Sequence, residues 1–191
     1  IIQVSSLNAN GLRSTYSTTG PSVWVAGFGG EYGTMTPAVM TTDDTGCEKG
    51  YVGGSTGSPA NAFESTDGHP ENPNCNYTST FNGTSAAAPT VAGVIALMLE
   101  ANPNLTWRAV KHILATTSQK VDLNQTYTQQ DTVQYQWTTN AAWYSHHHWY
   151  GFGKIDGAAA VSLAQTFNSE DLGSFFTTDY TTPDEIFSIP D

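Results

Sequence analysis

The chain reads as an α/β domain, and three observations predict that class. Short apolar runs bounded by turn residues occur at 1–5 and 23–27, the pattern of buried strands. A longer apolar run, Thr90-Val-Ala-Gly-Val-Ile-Ala-Leu-Met-Leu99, follows a Gly-Thr-Ser turn and has the length of a helix. Punctuation is the third: 18 Gly and 9 Pro in 191 residues, with many Ser, Thr and Asn, suit a loop-rich α/β domain better than a helical bundle. A chain of this length can enclose a sizeable core, and one domain plus a tail is the natural expectation.

The elements follow in order. After the two strands, 36–40 is a weaker strand and 43–80 is mostly loop. Residues 86–101 are apolar nearly all round, so this helix is expected in the buried middle of the domain. Pro89 is expected in its first turn, where a missing N–H costs little. Asn102-Pro103 ends the helix. Thr106 then caps a second helix over 107–116, with Val110, Ile113 and Leu114 on one face. Residues 121–149 are polar and aromatic, predicting loops with short strand pairs. Ile155 ends a strand, and the Ala-rich stretch Gly157–Thr166 is a helix that should pack on the sheet. From Asn168 onward the helical signal disappears.

Charge narrows the partners. Six Lys plus Arg stand against 17 Asp plus Glu, a formal net charge of −11. Such acidity argues against nucleic acid or an anionic membrane surface. It favours cationic substrates, or equally forms a solvated acidic surface. The longest apolar run is read as too short to span a bilayer. No charged-then-apolar signal segment opens the chain, so Ile1 is expected to be a boundary set by processing or expression rather than a nascent N-terminus.

The chemistry concentrates at Phe81-Asn82-Gly83-Thr84-Ser85-Ala86-Ala87-Ala88-Pro89. Gly83 allows a tight turn, and Ser85 falls in the first turn of a helix. There the backbone N–H groups lack intrahelical acceptors and the helix dipole favours developing negative charge. A capping Ser or Thr at an ordinary helix start would look the same.

These residues resemble a known family. Gly83-Thr84-Ser85-Ala86-Ala87-Ala88-Pro89 resembles the serine motif of the subtilisin-like proteases. Ala101-Asn-Pro-Asn-Leu-Thr-Trp-Arg-Ala-Val110 is similar to the kexin and furin branch. Tyr150-Gly-Phe-Gly-Lys-Ile-Asp-Gly157 resembles the strand and turn that close the catalytic domain in that branch. Residues 2–11, then Tyr16-Ser17 and Gly20, look like the strand and loop beyond the oxyanion-hole asparagine. The order and spacing match over 1–168. The resemblance implies the C-terminal portion of a subtilisin-like three-layer domain, with a mainly parallel sheet and a buried central helix starting at the nucleophile. Residues 169–191 would be a tail toward a following β-rich domain.

The implied function is a secreted serine endopeptidase acting on protein or peptide substrates through an acyl-enzyme. Ser85 would be the nucleophile and its N–H one oxyanion donor, with Asn82, Gly83 and Thr84 shaping the loop. Residues 24–30 would line part of the leaving-group side. Such a site also needs a base and a carboxylate that orients it. The family order places both before the serine, yet His69 is the single histidine among the 84 residues that precede Ser85. Its setting, Asp67-Gly68-His69-Pro70-Glu71, does not resemble the family's histidine motif and reads as an exposed loop. The catalytic Asp, His and oxyanion Asn are therefore expected upstream of residue 1 or on a complementary N-terminal chain. The alternative is a non-catalytic, partner-binding or inert fragment of such a protease.

An even cysteine count in a chain resembling a secreted enzyme favours a Cys47–Cys75 disulfide. It would close a loop worth roughly 3 kcal/mol on the chain-entropy view. Pairing of Cys47 with a cysteine upstream of residue 1 is the alternative. The chemistry itself needs no cofactor. Family members bind structural calcium, and Asp43 with Asp44, or Asp67 with Glu71, offer oxygen ligands. Thr18 stands where the kexin branch has a calcium-binding glutamate. His146-His147-His148 point in different directions, which disfavours a shared metal, and are expected in a surface loop. His112 is expected to be a half-buried packing residue. Asn76, Asn82, Asn104 and Asn124 head formal glycosylation sequons.

Overall fold

The computed structural model describes residues 1–32, 37–53, 61–125, 128–129 and 133–176. Strand β1 (Gln3–Leu7) pairs in parallel with β2 (Val23–Phe28). On the far side of β2 the chain returns at 152–155. There Phe152 N–H donates to Trp24 O, Ala26 N–H to Gly153 O and Ile155 N–H to Ala26 O, at 2.8–3.0 Å, with Ala26 and Lys154 in parallel register. A separate antiparallel pair joins β3 (Val39–Thr42) to β4 (Tyr77–Phe81). Between them lies the short helix α1 (Gly50–Gly53). The central pairing is thus parallel, whereas the other strand pairs, including Thr128–Gln129 with Val133–Gln134 and Thr138–Thr139 with Ser145–His146, are antiparallel. Strand β4 falls inside a stretch expected to be loop. Its sequence Tyr-Thr-Ser-Thr-Phe is rich in strand formers, but the central Thr-Ser-Thr is polar, so it carries no apolar run to mark it.

Three helices share one apolar cluster with Val25 of β2. They are α2 (Thr84–Ala101), α3 (Trp107–Thr117) and α4 (Gly157–Thr166), contributing Val91, Met98, Ile113, Leu114, Ala160 and Ala164. Thr106 caps α3 by accepting the Ala109 N–H, and Asp156 caps α4 through Ala159. Neighbouring Ala26 faces the other way, as alternation along a strand requires, into a second cluster with Leu7, Trp149 and Tyr150. Helices therefore cover one side of the strands and the aromatic segment 135–150 the other.

Helix α2 departs from expectation. Of its eighteen residues, Ala86, Ala87, Val91 and Met98 are buried, while Leu97 and Leu99 are 53% and 39% exposed. Packing on β1, β2 and α4 covers one face, and no described element lies against the other. The helix is also long and apolar enough, by length and composition, to cross a membrane, which corrects the reading of its run as too short. Small residues at both ends extend the run beyond its aliphatic centre. Because α2 begins at Thr84, Pro89 sits in the second turn and not the first. It withholds the N–H that would have reached the Ser85 carbonyl.

Residues 169–175 lie against α3. Arg108 donates to the Leu172 and Gly173 carbonyls at 2.9 Å each, and Phe175 meets Trp107 edge-on. Of the tail expected to lead toward a further domain, 169–191, residues 177–191 lie outside the described residues.

Candidate active site

Strand β4 delivers the chain into the turn Asn82-Gly83 and then directly into α2. The turn depends on Gly83, whose φ of 103° L side chains rarely adopt. Gly83 is the N-cap and supplies no side-chain cap. Its carbonyl accepts from Ala86 and Ala87 at 2.9 and 3.2 Å. Among the described residues the N–H groups of Thr84 and Ser85 then have no acceptor. Both residues are exposed. Ser85 therefore presents a hydroxyl and an unbonded backbone donor side by side, at the positive end of an eighteen-residue helix. That pair can attack a carbonyl and hold the resulting oxyanion. Asn82 turns its side-chain amide back to the Thr80 carbonyl at 3.4 Å.

The supports of this turn are polar. Glu64, 4% exposed, gathers β4 through one carboxylate oxygen. That oxygen accepts from Thr78 Oγ1 at 2.8 Å, Ser79 N–H at 2.6 Å and Thr80 Oγ1 at 3.1 Å. Asn61 caps the turn that carries Glu64. Sequence reasoning missed this carboxylate; its one trace is a Glu set among small polar residues. On the opposite side, of the 24–30 stretch, Gly29 abuts the Gly83 carbonyl so closely that a Cβ would collide with it. Trp24 lies at the other end of β2, with Lys111 over its ring and Phe152 edge-on.

Cys47 and Cys75 are joined, Cα to Cα 5.0 Å apart. The bond ties the segment after β3 to the residue two before β4. His69 is held inside the same loop, its Nδ1 accepting from the Glu71 N–H at 3.2 Å and its ring against Phe63. Among the described residues no histidine hydrogen-bonds Ser85.

The acidic residues offered for calcium do not gather. Asp43 spends its carboxylate on the N–H groups of Asp44, Tyr51 and Val52, at 2.7–3.2 Å. Asp44, Asp67 and Glu71 are exposed. No group of three or more His, Cys, Asp or Glu side chains placed to share a metal occurs among the described residues.

The histidine triplet needs correction, because it is not a surface loop. His147 is 1% exposed, packed beside Trp137 and Tyr150. Its Nδ1 accepts the Trp149 N–H at 3.0 Å, and Nε2 lies 3.2 Å from the Tyr135 carbonyl. That arrangement requires a neutral ring with its proton on Nε2. Burial pushes the His147 pKa below its ordinary 6.5; His148 and His146 add to this, against the Tyr135 carbonyl and Asp122. Alternation explains the split: His146 reaches the Val23 carbonyl at 3.0 Å, and His148 stacks on Tyr135. His112 is half-buried against Phe167 and Tyr144, as expected.

An exposed serine thus stands at the start of a core-packed helix, after a glycine turn and beside a parallel strand pair. The chain belongs to the subtilase family, whose model matches residues 1–153. It is 38% identical over 175 residues to the Aeromonas extracellular serine protease of Aeromonas sobria, covering 84% of this chain and 27% of that protein. It is 42% identical over 92 residues to neuroendocrine convertase 2 of Drosophila melanogaster, covering 48% of this chain and 13% of the convertase. The crystal structure of the Aeromonas sobria serine protease in complex with its chaperone superposes with a TM-score of 0.75 at 35% identity. That match covers 86% of this chain and 29% of the solved one. The chain thus spans less than a third of each of these relatives.

Proposed function

We propose that this chain supplies the nucleophilic part of a serine endopeptidase. The observation that carries this reading is the exposed Ser85 hydroxyl beside its own unbonded N–H at the start of α2. Ser85 Oγ attacks the peptide carbonyl, and its proton passes to a histidine supplied from outside the chain. The oxyanion accepts from the Ser85 N–H and from an asparagine side chain, also external. The protonated histidine then gives its proton to the leaving amine, and water resolves the acyl-enzyme. Thr84, Gly83 and Asn82 hold the loop in which this happens.

The uncovered apolar face of α2 supports a complementary segment of the same domain, carrying the Asp, His and Asn. A secreted setting is supported by the Cys47–Cys75 bond and by a relative described as extracellular. The competing reading is a chain that binds a partner without catalysis. A fluorophosphonate probe with peptide mapping separates the two. Labelling at Ser85 in the assembled protein, lost in Ser85→Ala, is the expected result; an unlabelled 20.4 kDa species and no second polypeptide would leave an inert fragment.

A further inference from the structure

The turn that places Ser85 is fixed by a side chain 67 positions before Gly83. The Gly83 N–H lies 2.9 Å from the Tyr16 hydroxyl and 3.2 Å from the Gly29 carbonyl. Tyr16 Oη is in turn 2.7 Å from both the Gly29 and Gly30 carbonyls. The phenol has one proton to share between those two acceptors, which leaves its oxygen to accept from Gly83. Ser6 Oγ lies 3.0 Å from the same oxygen and 2.9 Å from Ser14 Oγ, and Ser14 donates to Gly30 O at 2.8 Å. The Tyr16 ring meets Tyr32 edge-on.

We infer that Tyr16 is a positioning residue for the Ser85 nucleophile, acting through its hydrogen bond from the Gly83 N–H. This rests on the endopeptidase reading above. Gly83 has no side chain of its own to lock its orientation, and α2 starts at the next residue. The phenol ties that pivot to the rigid end of β2, so the direction of α2's first turn is set relative to the sheet. Without the hydroxyl, Gly83 keeps one longer bond, and the two glycine carbonyls lose their shared donor. Ser85 lies two residues beyond the pivot, and a displacement of about 1 Å at a reacting atom can cost about 100-fold in rate.

The test uses the intact protease that carries this chain, with a peptide substrate and a fluorophosphonate. Tyr16→Phe is expected to lower kcat by about 10- to 100-fold with KM within about twofold, and to slow fluorophosphonate inactivation in parallel. Long incubation with the probe counts folded sites, so loss of protein does not enter kcat. Tyr32→Phe, which removes a neighbouring hydroxyl that does not touch Gly83, should leave kcat unchanged. A Tyr16→Phe enzyme with normal kcat, or one altered in KM alone, would overturn the assignment. If Tyr16→Phe does not accumulate, Ser6→Ala gives the reading: it loosens Tyr16 Oη, so kcat should fall by less than tenfold, and no change would overturn the assignment. Absence of labelling at Ser85 in the unaltered enzyme would instead sink the endopeptidase reading.

Discussion

At the scale of single residues, the candidate site divides into the proposed nucleophile, Ser85, and the polar groups that hold its turn. Ser85 stood out in the sequence through the resemblance of Gly83-Thr84-Ser85 and its flanks to a known motif, since a capping serine at a helix start would otherwise look the same. Its supports did not stand out, since Glu64 and Tyr16 act across long sequence separations that carry no local pattern. Glu64→Ala leaves the donors of Thr78, Ser79 and Thr80 facing a void, and should destabilise the protein by about 2–3 kcal/mol. Thermal unfolding checks this, with Glu64→Gln expected to lose less because its amide oxygen still accepts. His147 gives a pH signature. Its folded pKa lies below the unfolded value, so the neutral ring's contribution is complete above about 6.5 and is lost as pH falls through the lowered value. The midpoint temperature should drop over that window in the unaltered protein and stay flatter in His147→Gln. Identical pH profiles would show that the ring does not titrate in this way.

At the scale of elements, periodicity located the principal strands and helices closely. The apolar runs at 1–5 and 23–27 became β1 and β2, the capping signal at Thr106 marks the start of α3, and the Ala-rich stretch from Gly157 became α4. Polarity misled twice. Strand β4 alternates Thr and Ser and was taken as loop, and the His triplet's central ring turned inward against Trp137 and Tyr150. Helix α2 shows a different limit: an all-apolar sequence states that a helix needs cover, not what provides it. Leu97 and Leu99, exposed on either flank of the stripe that buries Met98, would each gain on the order of 1 kcal/mol from burial. The isolated chain should therefore bind a hydrophobic dye, and Leu97→Gln with Leu99→Gln should reduce that signal. Unchanged dye binding in the double variant would place the sticky surface elsewhere.

At the scale of the whole molecule, the fold joins a parallel β1–β2 core, helices on one side and an aromatic layer on the other. The disulfide-tied loop leads from it into the strand that precedes Ser85. What the family needs besides Ser85 is a base, an orienting carboxylate and an asparagine, and no histidine among the described residues reaches that serine. Catalysis by such a triad is strongly non-additive, so a serine without its base should lose several powers of ten in rate. The most direct measurement is the rate of Ser85 labelling by a fluorophosphonate, in this chain alone and in the intact protease that contains it. Rapid labelling at Ser85 in the intact protein, abolished by Ser85→Ala and at least about 1000-fold slower in the isolated chain, is the predicted result. Labelling of another residue, or none in the intact protein, would contradict the assignment of Ser85 as nucleophile.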